Sequence, residues 1–421
     1  MQTSSHGRLD FVVDDLPTYR PISYPSRTMN APANDGPALA RAAADALRRG
    51  DPRSARDLFL QAARAGQADV PVFLGLAYSC RALQDWQGMT ASVDRVLQLD
   101  SRNLRALVMK GDGCEHAGDT RAASAYYRAA LRAAPPADKL PPDLLQELRR
   151  VQLASNEFAK RYEEHMRSWL KERGFDESQS NTRFGQSLDI LLGRKRVYVQ
   201  EPRYYYLPQL PQKQFYDRAD FPWLDQVEAA TDDIRAELLN VLQDSAAFTP
   251  YVKSDPSRPR SDQQGMTDNS NWTAFYLWHN GTLVEQNAAK CPKTLAALAG
   301  APLAQIPGRT PSVLFSQLQP GAHIPPHNGL INTRLIVHLP LIVPGKCRFR
   351  VGNDVREWQQ GKAWVFDDTI DHEAWNDSDR TRVILLFDIA RPELSEEENR
   401  LVAMLFEGID AFTGQKPEWE I

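Results

Sequence analysis

The feature that most constrains the fold is a repeat of 34 residues in the first third of the chain. Asp51, Asp85 and Asp119 stand at that interval, each in the turn of a predicted helix pair. Small and apolar residues recur at fixed offsets after each Asp: Ala55, Met89 and Ala123; Phe59, Val93 and Tyr127; Ala62, Val96 and Ala130. A 34-residue helix–turn–helix period is typical of tetratricopeptide repeats, and three units are about the minimum that buries a continuous core. An ordinary helical bundle with an accidental register is the alternative.

The pattern divides the chain into four segments. Residues 1–35 are rich in Pro, Ser, Asn and Asp and predict a flexible leader. Residues 36–136 contain the tetratricopeptide-like repeats, and amphipathic helical patterns over residues 137–196 predict a connector that caps them. Residues 197–421 form the last predicted domain.

The sequence pattern of this last domain differs from that of the helical repeats. One helix is expected at about Trp223 to Leu242, and short alternating runs separated by Gly, Pro, Asn and Asp then fill residues 273–390. Such spacing predicts a double-sheet jelly roll with a mouth for a small ligand. Ser395 and Glu398 form a capping box for a final helix. The predicted fold class is therefore α+β and multidomain, with all-α repeats followed by a double-stranded β-helix, jelly-roll or cupin-like catalytic domain.

Composition limits the partners. The 50 basic and 54 acidic residues give a net charge of −4, so no global field favours nucleic acid or anionic membranes. The chain has no apolar run of the ~18 residues that a membrane span needs, and its N-terminus lacks the pattern of a signal peptide. We therefore expect a cytoplasmic protein with no nucleic-acid partner and no membrane span.

Two histidines stand in settings that suit metal binding. His327 lies in PPHNG, where prolines and a glycine present the ring from a rigid turn, and His372 follows an apolar strand in DDTIDHEAW. A single His is more often a structural residue. The pair on adjoining strands, with Arg382 downstream, favours a non-haem Fe(II) centre that binds a dicarboxylate co-substrate.

The third ligand of the usual two-His, one-carboxylate site is missing from its expected place. Two residues after His327 stands Gly329, which has no side chain to offer. Asp368 precedes His372 by four residues, roughly 13 Å along an extended strand, so its carboxylate reaches the site only if the chain turns sharply. We therefore predict two protein ligands, with water filling the remaining position.

Polar residues within apolar strands are the candidate co-substrate contacts. Arg382 in TRVILLF is either an edge residue or a buried charge that needs an acid, and a co-substrate carboxylate would be such an acid. Ser316 could donate to the same carboxylate, and His338 to the other end of the ligand. Arg334 shares a strand face with His338 and could hold the co-substrate or an acidic substrate group.

Three stretches together resemble the aspartyl/asparaginyl β-hydroxylases: PGAHIPPHNGLINTRLIVHLPL, GKAWVFDDTIDHEAWN and TRVILLFDIARPEL. The resemblance covers roughly residues 200–410. It implies an Fe(II)- and 2-oxoglutarate-dependent dioxygenase that uses O₂, oxidises 2-oxoglutarate to succinate and CO₂, and hydroxylates an unactivated C–H bond. By this resemblance His327 and His372 are the catalytic metal ligands.

The resemblance also implies roles for other residues. Ser316, His338 and Arg382 match positions that hold 2-oxoglutarate, and Arg334 matches a position near the substrate. Ile336 stands where the animal enzymes have a second Arg, so their substrate, Asp or Asn in disulfide-rich domains, does not transfer directly.

Three functions remain open on the sequence. The first is β-hydroxylation of Asp or Asn in a peptide or protein that the helical repeats hold, since concave helical stacks commonly bind extended peptides. The second keeps the chemistry but acts on a free or carrier-bound amino acid or on a lipid acyl chain. The third is a non-catalytic repeat scaffold with a retired oxygenase domain, disfavoured by the complete set of His327, His372 and Arg382.

Overall fold

The computed structural model describes residues 35–176, 182–254 and 265–414. The predicted leader therefore lies outside the described residues, apart from Asp35. The chain divides into two compact units, residues 1–178 and 179–421. The segment 137–196, expected as one connector, is shared between the two units.

The described part of the first unit is entirely helical. Its helices are α1 (Gly36–Arg48), α2 (Pro52–Arg64), α3 (Val70–Ala82), α4 (Trp86–Leu99), α5 (Leu104–His116), α6 (Thr120–Ala133) and α7 (Pro142–Glu172). Consecutive helices from α1 to α6 form three pairs, which are the three sequence repeats. Helical repeats of tetratricopeptide type are thereby confirmed.

The repeated Asp residues begin the second helix of each pair. The carboxylates of Asp51, Asp85 and Asp119 accept hydrogen bonds from main-chain N–H groups three residues on, at 3.1, 2.8 and 2.8 Å. Each bond satisfies one of the free N–H groups at a helix start. All nine recurring apolar and small positions are buried. The 34-residue period thus arises because each of the three repeats contains a helix with the same Asp cap and the same buried face.

The second unit combines short helices with antiparallel strands. Its helices are α8 (Thr182–Leu191), α9 (Leu224–Ala229), α10 (Thr231–Val241), α11 (Glu285–Ala288), α12 (Pro292–Leu298) and α13 (Glu396–Thr413). The single helix expected at about Trp223 to Leu242 is two helices, interrupted at Ala230. The hydroxyl of Thr231 donates to the Glu228 carbonyl at 2.6 Å, a local bond that competes with a continuous helix. The capping box of Ser395 and Glu398 at the start of α13 is confirmed.

The strands form two sheets. They are β1 (Thr249–Pro250), β2 (Trp272–His279), β3 (Thr282–Leu283), β4 (Val313–Leu318), β5 (His323–His327), β6 (Arg334–Ile342), β7 (Cys347–Val351), β8 (Asp354–Glu357), β9 (Trp364–Phe366), β10 (His372–Asn376) and β11 (Arg382–Ala390). The larger, seven-stranded sheet has the order β1-β2-β4-β11-β6-β9, with β3 beside β2, and the smaller has the order β5-β10-β7-β8. Strand pairs are antiparallel throughout both sheets. The jelly-roll class is confirmed.

The larger sheet is covered on both faces. Leu335, Val337 and Leu385 belong to a core shared with α9, α10 and α12. Ile336 and Ile384 point the other way, into a core shared with the smaller sheet. Because side chains alternate along a strand, this second face is the interior of the jelly roll. Within the described parts of the chain, no helix combines the length and apolar character that a membrane crossing requires.

Candidate active site

The polar residues of the larger sheet converge on the interior of the jelly roll. Ser316 lies on β4, Arg334 and His338 on β6, and Arg382 and Asp388 on β11, each an even number of positions from an interior apolar residue of its strand. All five are at least nine-tenths buried. The two-residue period of the strands therefore places them on one face, opposite the smaller sheet.

His327 and His372 meet across the smaller sheet. They are register partners at the end of β5 and the start of β10, and their ring centroids are 4.1 Å apart. Nδ1 of His327 is 2.8 Å from the Pro325 carbonyl oxygen, and Nδ1 of His372 is 3.0 Å from that of Ile370. A carbonyl oxygen only accepts, so each Nδ1 carries the proton and each Nε2 keeps a lone pair.

Burial keeps both rings in the metal-binding form. Loss of solvation lowers the pKa of His327 to about 4 and holds the pKa of His372 well below its usual value. Two neutral imidazoles with fixed tautomers are suitable ligands for Fe(II). In the described residues, no three His, Cys, Asp or Glu side chains come together as a metal-binding group. The site therefore offers two protein ligands; that these bind iron stays a prediction.

Asp368 is brought beside this pair by a sharp turn. The carboxylate of its neighbour Asp367 accepts from the Thr369 main chain at 3.0 Å and pairs with Arg391 at 2.8 Å, both partners being fully buried. The turn places Asp368 in the cavity that His327 and His372 line. The separation expected for an extended strand therefore does not apply.

The Asp368 carboxylate occupies the space that a side chain at position 329 would need. A Cβ placed on Gly329 would lie 2.2 Å from its Oδ2. Arg334 pairs with the same Oδ2 at 3.0 Å. Burial raises the pKa of Asp368 to about 6, although Arg334 opposes this shift.

Arg382 is a buried cation whose position suits an anionic ligand. It is 1% exposed, and its Nε has no hydrogen-bond partner. Its Nη1 makes one long contact, 3.4 Å, with the Ser316 carbonyl oxygen, and its guanidinium lies 4.7 Å from the ring centre of Trp358. Burial lowers the pKa of Arg382 to about 10, so the group stays charged at neutral pH. No ion pair between Arg382 and a carboxylate occurs among the described residues.

Ser316 and His338 complete the polar part of the same cavity. The Ser316 hydroxyl accepts from the Trp272 indole at 3.3 Å, which leaves its own proton available to a ligand. His338 packs 4.7 Å from Phe366 and 5.0 Å from Phe349, and its Nδ1 has no partner. Burial, with a smaller effect of Arg382, lowers the pKa of His338 well below its usual value.

Arg334 has a different setting from the other candidates. It is 4% exposed and lies between Asp368, at 3.0 Å, and Asp388, at 3.7 Å. It lines a second cavity that adjoins the two-His cavity, and Asp388 lines it too. Sequence reasoning missed Asp388. The signal was available, because Asp388 stands six residues after Arg382 in an apolar strand and so shares its face.

Apolar side chains complete the wall around the two histidines. They include Tyr251, Trp272, Ile324, Ile336, Phe349, Trp358, Ile384 and Leu386. Ile336, where a second Arg was expected by resemblance, is 6% exposed and presents only hydrocarbon. The arrangement combines two imidazoles, a buried Arg and a largely apolar chamber, which suits oxidation of a C–H bond away from water.

Comparison with known proteins agrees with this architecture. Residues 228–392 match the family model described as aspartyl/asparaginyl beta-hydroxylase. The ornithine lipid ester-linked acyl 2-hydroxylase of Rhizobium tropici is 41% identical over 180 residues, which are 42% of this chain and 60% of that protein. The aspartyl/asparaginyl beta-hydroxylase of Mus musculus is 34% identical over 141 residues, 33% of this chain and 19% of that protein.

The helical repeats have solved neighbours of low identity. One of them is the first tetratricopeptide domain of human RPAP3. The alignment covers 29% of this chain and 93% of the RPAP3 chain, at 15% identity and a TM-score of 0.25. The residues that carry the sequence resemblance fall largely inside the matched segment, as do the two histidines and Arg382. Residues 228–392 of the chain therefore match the aspartyl/asparaginyl β-hydroxylase family model, and helical repeats of tetratricopeptide type precede them in the sequence.

Proposed function

We propose that this chain is an Fe(II)- and 2-oxoglutarate-dependent hydroxylase. The observation that carries the proposal is the pairing of two fixed, neutral imidazoles, His327 and His372, with a buried Arg382 that lacks an ion-paired carboxylate in the same cavity. The imidazoles suit Fe(II), and the guanidinium suits a carboxylate of 2-oxoglutarate. With O₂, the bound iron would supply the oxidising power for inserting one oxygen atom into a C–H bond.

The residues of the chain would act by binding and orientation. His327 and His372 would hold the metal through Nε2, because Nδ1 of each is committed to a main-chain carbonyl. Arg382 would bind one carboxylate of 2-oxoglutarate, with Ser316 donating beside it. His338 would fix the other end of the co-substrate. The aromatic and aliphatic wall would exclude water from the reacting C–H bond.

The first candidate substrate is the side chain of Asp or Asn in a peptide or protein, hydroxylated at the β-carbon. The family description supports it. The repeats also present a groove between α2, α3 and α4, whose lining includes three cations, two acids and hydrocarbon: Arg56, Arg64, Arg95, Asp57, Asp85, Leu60 and Phe73. Such a mixture of cations and hydrocarbon suits an extended peptide that contains acidic residues.

The second candidate substrate is an acyl chain. Two observations favour it: Ile336 presents hydrocarbon to the cavity, and the relative that shares 41% identity is named as an acyl 2-hydroxylase. An apolar wall binds methylene groups and offers nothing to a carboxylate side chain. The two candidates would use the same metal and co-substrate residues and differ only in the substrate that lies against the apolar wall of the two-His cavity.

The test separates the chemistry from the substrate. Fe(II) and then 2-oxoglutarate are added anaerobically to the full chain, and the visible metal-to-ligand charge-transfer band is recorded. We expect a band that is lost in His327→Ala and in Arg382→Ala. Acidic peptides and hydroxyl-free acyl lipids are then supplied with O₂ and analysed by mass spectrometry for the gain of one oxygen. A folded, metal-loaded protein without the band would refute the proposal.

A further inference from the structure

The groove that α2, α3 and α4 line lies beside the place where the described chain begins. We call it the repeat groove. A Cβ placed on Gly36, the first residue of α1, would lie 3.0 Å from the Cβ of Gln67 and 3.5 Å from the Ala65 carbonyl oxygen. The sequence neighbours of those two residues, Arg64 and Ala68, line the groove. The chain that precedes α1 therefore joins the repeats at one end of the repeat groove.

The acids of the repeat groove are already engaged, whereas two of its cations are not. Asp57 pairs with Arg56 at 3.2 Å, and Asp85 caps α4 through a bond of 2.8 Å. Arg64 and Arg95 are exposed, and within the described parts of the chain neither pairs with a carboxylate. Three Arg and two Asp give the groove a net charge of +1. The groove thus has cations available for an acidic ligand.

The repeat groove also presents hydrocarbon and has the length of a short peptide. The guanidinium carbon of Arg95 lies 5.6 Å from the ring centre of Phe73. The lining residues of α4 run from Asp85 to Arg95, which is about 15 Å at the helical rise per residue. About five residues of an extended chain span that distance. The apolar lining consists of Leu60, Ala63, Phe73, Leu76 and Ala91.

A second depression, on the first helices of the repeat pairs, is less suited to an acidic ligand. Arg48 and Arg105 line it. Arg48 pairs with Asp45, and Arg105 pairs with Asp143 at 2.6 Å. An acidic ligand would have to displace these carboxylates, whereas Arg64 of the repeat groove needs no such exchange. An acidic, apolar segment is therefore expected to prefer the repeat groove.

The leader contains a segment with this chemistry. Phe11, Val12, Val13, Asp14 and Asp15 follow one another, three apolar residues and then two acids. We call them the FVVDD segment. Residues 16–34 connect it to the described chain and can span up to ~60 Å, so chain length does not limit its reach. Tethering of this kind gives a ligand an effective concentration on the order of millimolar.

We propose that the FVVDD segment binds in the repeat groove of its own chain, with its two acids near Arg64 and Arg95 and its apolar side chains on Phe73. The proposal goes beyond the proposed function, because it concerns neither the metal nor the co-substrate. An acidic peptide that the repeats bind must first displace the segment. The tethered segment therefore selects against weakly binding peptides.

Hydrogen exchange of the full chain, followed by mass spectrometry, tests whether the segment is bound. We expect its amides to exchange about tenfold more slowly than those of a synthetic peptide of residues 8–18, because a millimolar effective concentration keeps a site of ~100 μM affinity about 90% occupied. The double variant Arg64→Glu/Arg95→Glu should lose this protection. Adding Asp14→Arg/Asp15→Arg should restore it by exchanging the charges. Arg121→Glu, which changes an exposed cation of α6 outside the groove, is the matched control.

Binding of the synthetic peptide to the full chain gives a second measure. The peptide carries a dye, and its fluorescence anisotropy is recorded. We expect it to bind the variant Phe11→Ser/Asp14→Lys/Asp15→Lys about tenfold more tightly than the wild type, because the groove of the wild type is free about a tenth of the time. The gain in affinity should equal the factor of exchange protection, since the fraction of free groove sets both.

Three results would overturn the proposal. The first is an FVVDD segment that exchanges as fast as the free peptide. The second is protection that survives in Arg64→Glu/Arg95→Glu, which would place the segment elsewhere. The third is equal affinity of the peptide for the wild type and the Phe11→Ser/Asp14→Lys/Asp15→Lys variant. Restored protection in the charge-exchanged protein also shows that the Glu variants fold.

These readouts are independent of the metal site. A protected segment in a chain that gives no charge-transfer band would support the docking and refute the hydroxylase proposal. A chain that gives the band but leaves the segment unprotected would refute the docking alone.

Discussion

Gly329 and Asp368 share a single space beside the two histidines. The main-chain N–H of Gly329 donates to the Asp368 carbonyl at 2.7 Å, and a Cβ on Gly329 would lie 2.2 Å from the carboxylate of the same residue. Any side chain at position 329 must therefore displace a buried carboxylate that is paired with Arg334. Position 329 therefore requires glycine, because the Asp368 carboxylate fills the space that a side chain would need.

Gly329→Ala should accordingly destabilise the second unit by about 1–3 kcal/mol, the usual cost of overpacking. The cost should shrink when Asp368→Ala is present, because the small side chain leaves room for the new Cβ. Urea unfolding of both single variants and the double variant gives the coupling energy. Gly408→Ala is the control, since a Cβ there meets nothing within 4 Å. Equal losses in both backgrounds would show that the two residues do not compete.

Replacing Arg382 or Arg391 by Met should change the stability of the protein in opposite directions. Arg382 is buried without an ion-paired acid, whereas Arg391 pairs with fully buried Asp367 at 2.8 Å. Arg382→Met should raise the stability of the metal-free protein by about 1–3 kcal/mol, because it removes an uncompensated buried charge. Arg391→Met should lower it by about 3–5 kcal/mol, because Asp367 is left buried and unpaired.

Thermal unfolding of the two Met variants measures this contrast, and the charge-transfer band with Fe(II) and 2-oxoglutarate measures the function. We expect the stabilised Arg382→Met variant to lose the band. A destabilised Arg382→Met protein would mean that Arg382 contributes to the fold rather than to ligand binding.

The sequence predicted features that depend on short-range pattern. The 34-residue interval of Asp51, Asp85 and Asp119 located three helix pairs, because each Asp caps a helix through a bond to a residue three positions on. Alternation along β6 and β11 likewise placed His338 and Arg382 on strands of the jelly roll. Neither result depends on contacts between distant parts of the chain.

The position of Asp368 could not be predicted in this way. It depends on the turn at 367–369, which Arg391 and Gln200 stabilise through bonds of 2.8 and 2.6 Å to the Asp367 carboxylate. Gln200 is far away in sequence, and nothing in its local pattern predicts that its side chain reaches this turn. The interruption of the helix at Ala230 was also missed, because the pattern of apolar residues continues through it.

The caps of the repeats predict a stability effect confined to the first unit. Asp119→Ala removes the acceptor that binds the Ala122 main-chain N–H at 2.8 Å. We expect a loss of about 1 kcal/mol in the free energy of unfolding of the repeats. Asp119→Asn, which keeps a capping oxygen, should retain most of that stability. Hydrogen exchange followed by mass spectrometry would localise the loss to α5 and α6, and equal exchange in Asp119→Ala and Asp119→Asn would contradict the role of the cap.

The stability of the second unit should depend on pH through Asp388. Burial, opposed by Arg334, raises the pKa of this carboxyl from 3.8 to about 6. The folded state therefore holds the proton more tightly than the unfolded state, and this stabilising contribution is complete below pH 3.8 and lost as the pH rises through about 6. At neutral pH the ionised group should cost about 3 kcal/mol, an order-of-magnitude figure from a shift of about two pH units.

Asp388→Asn cannot ionise, so its stability relative to the wild type should improve as the pH rises from about 4.5 to about 7.5, by up to about 3 kcal/mol. Urea unfolding of both proteins at the two pH values measures the difference. A difference that stays constant, or that moves in favour of the wild type at the higher pH, would show that Asp388 ionises without cost. The expected result means that the chain retains a buried acid that lowers its stability at neutral pH, because Asp388 shares the guanidinium of Arg334 with Asp368.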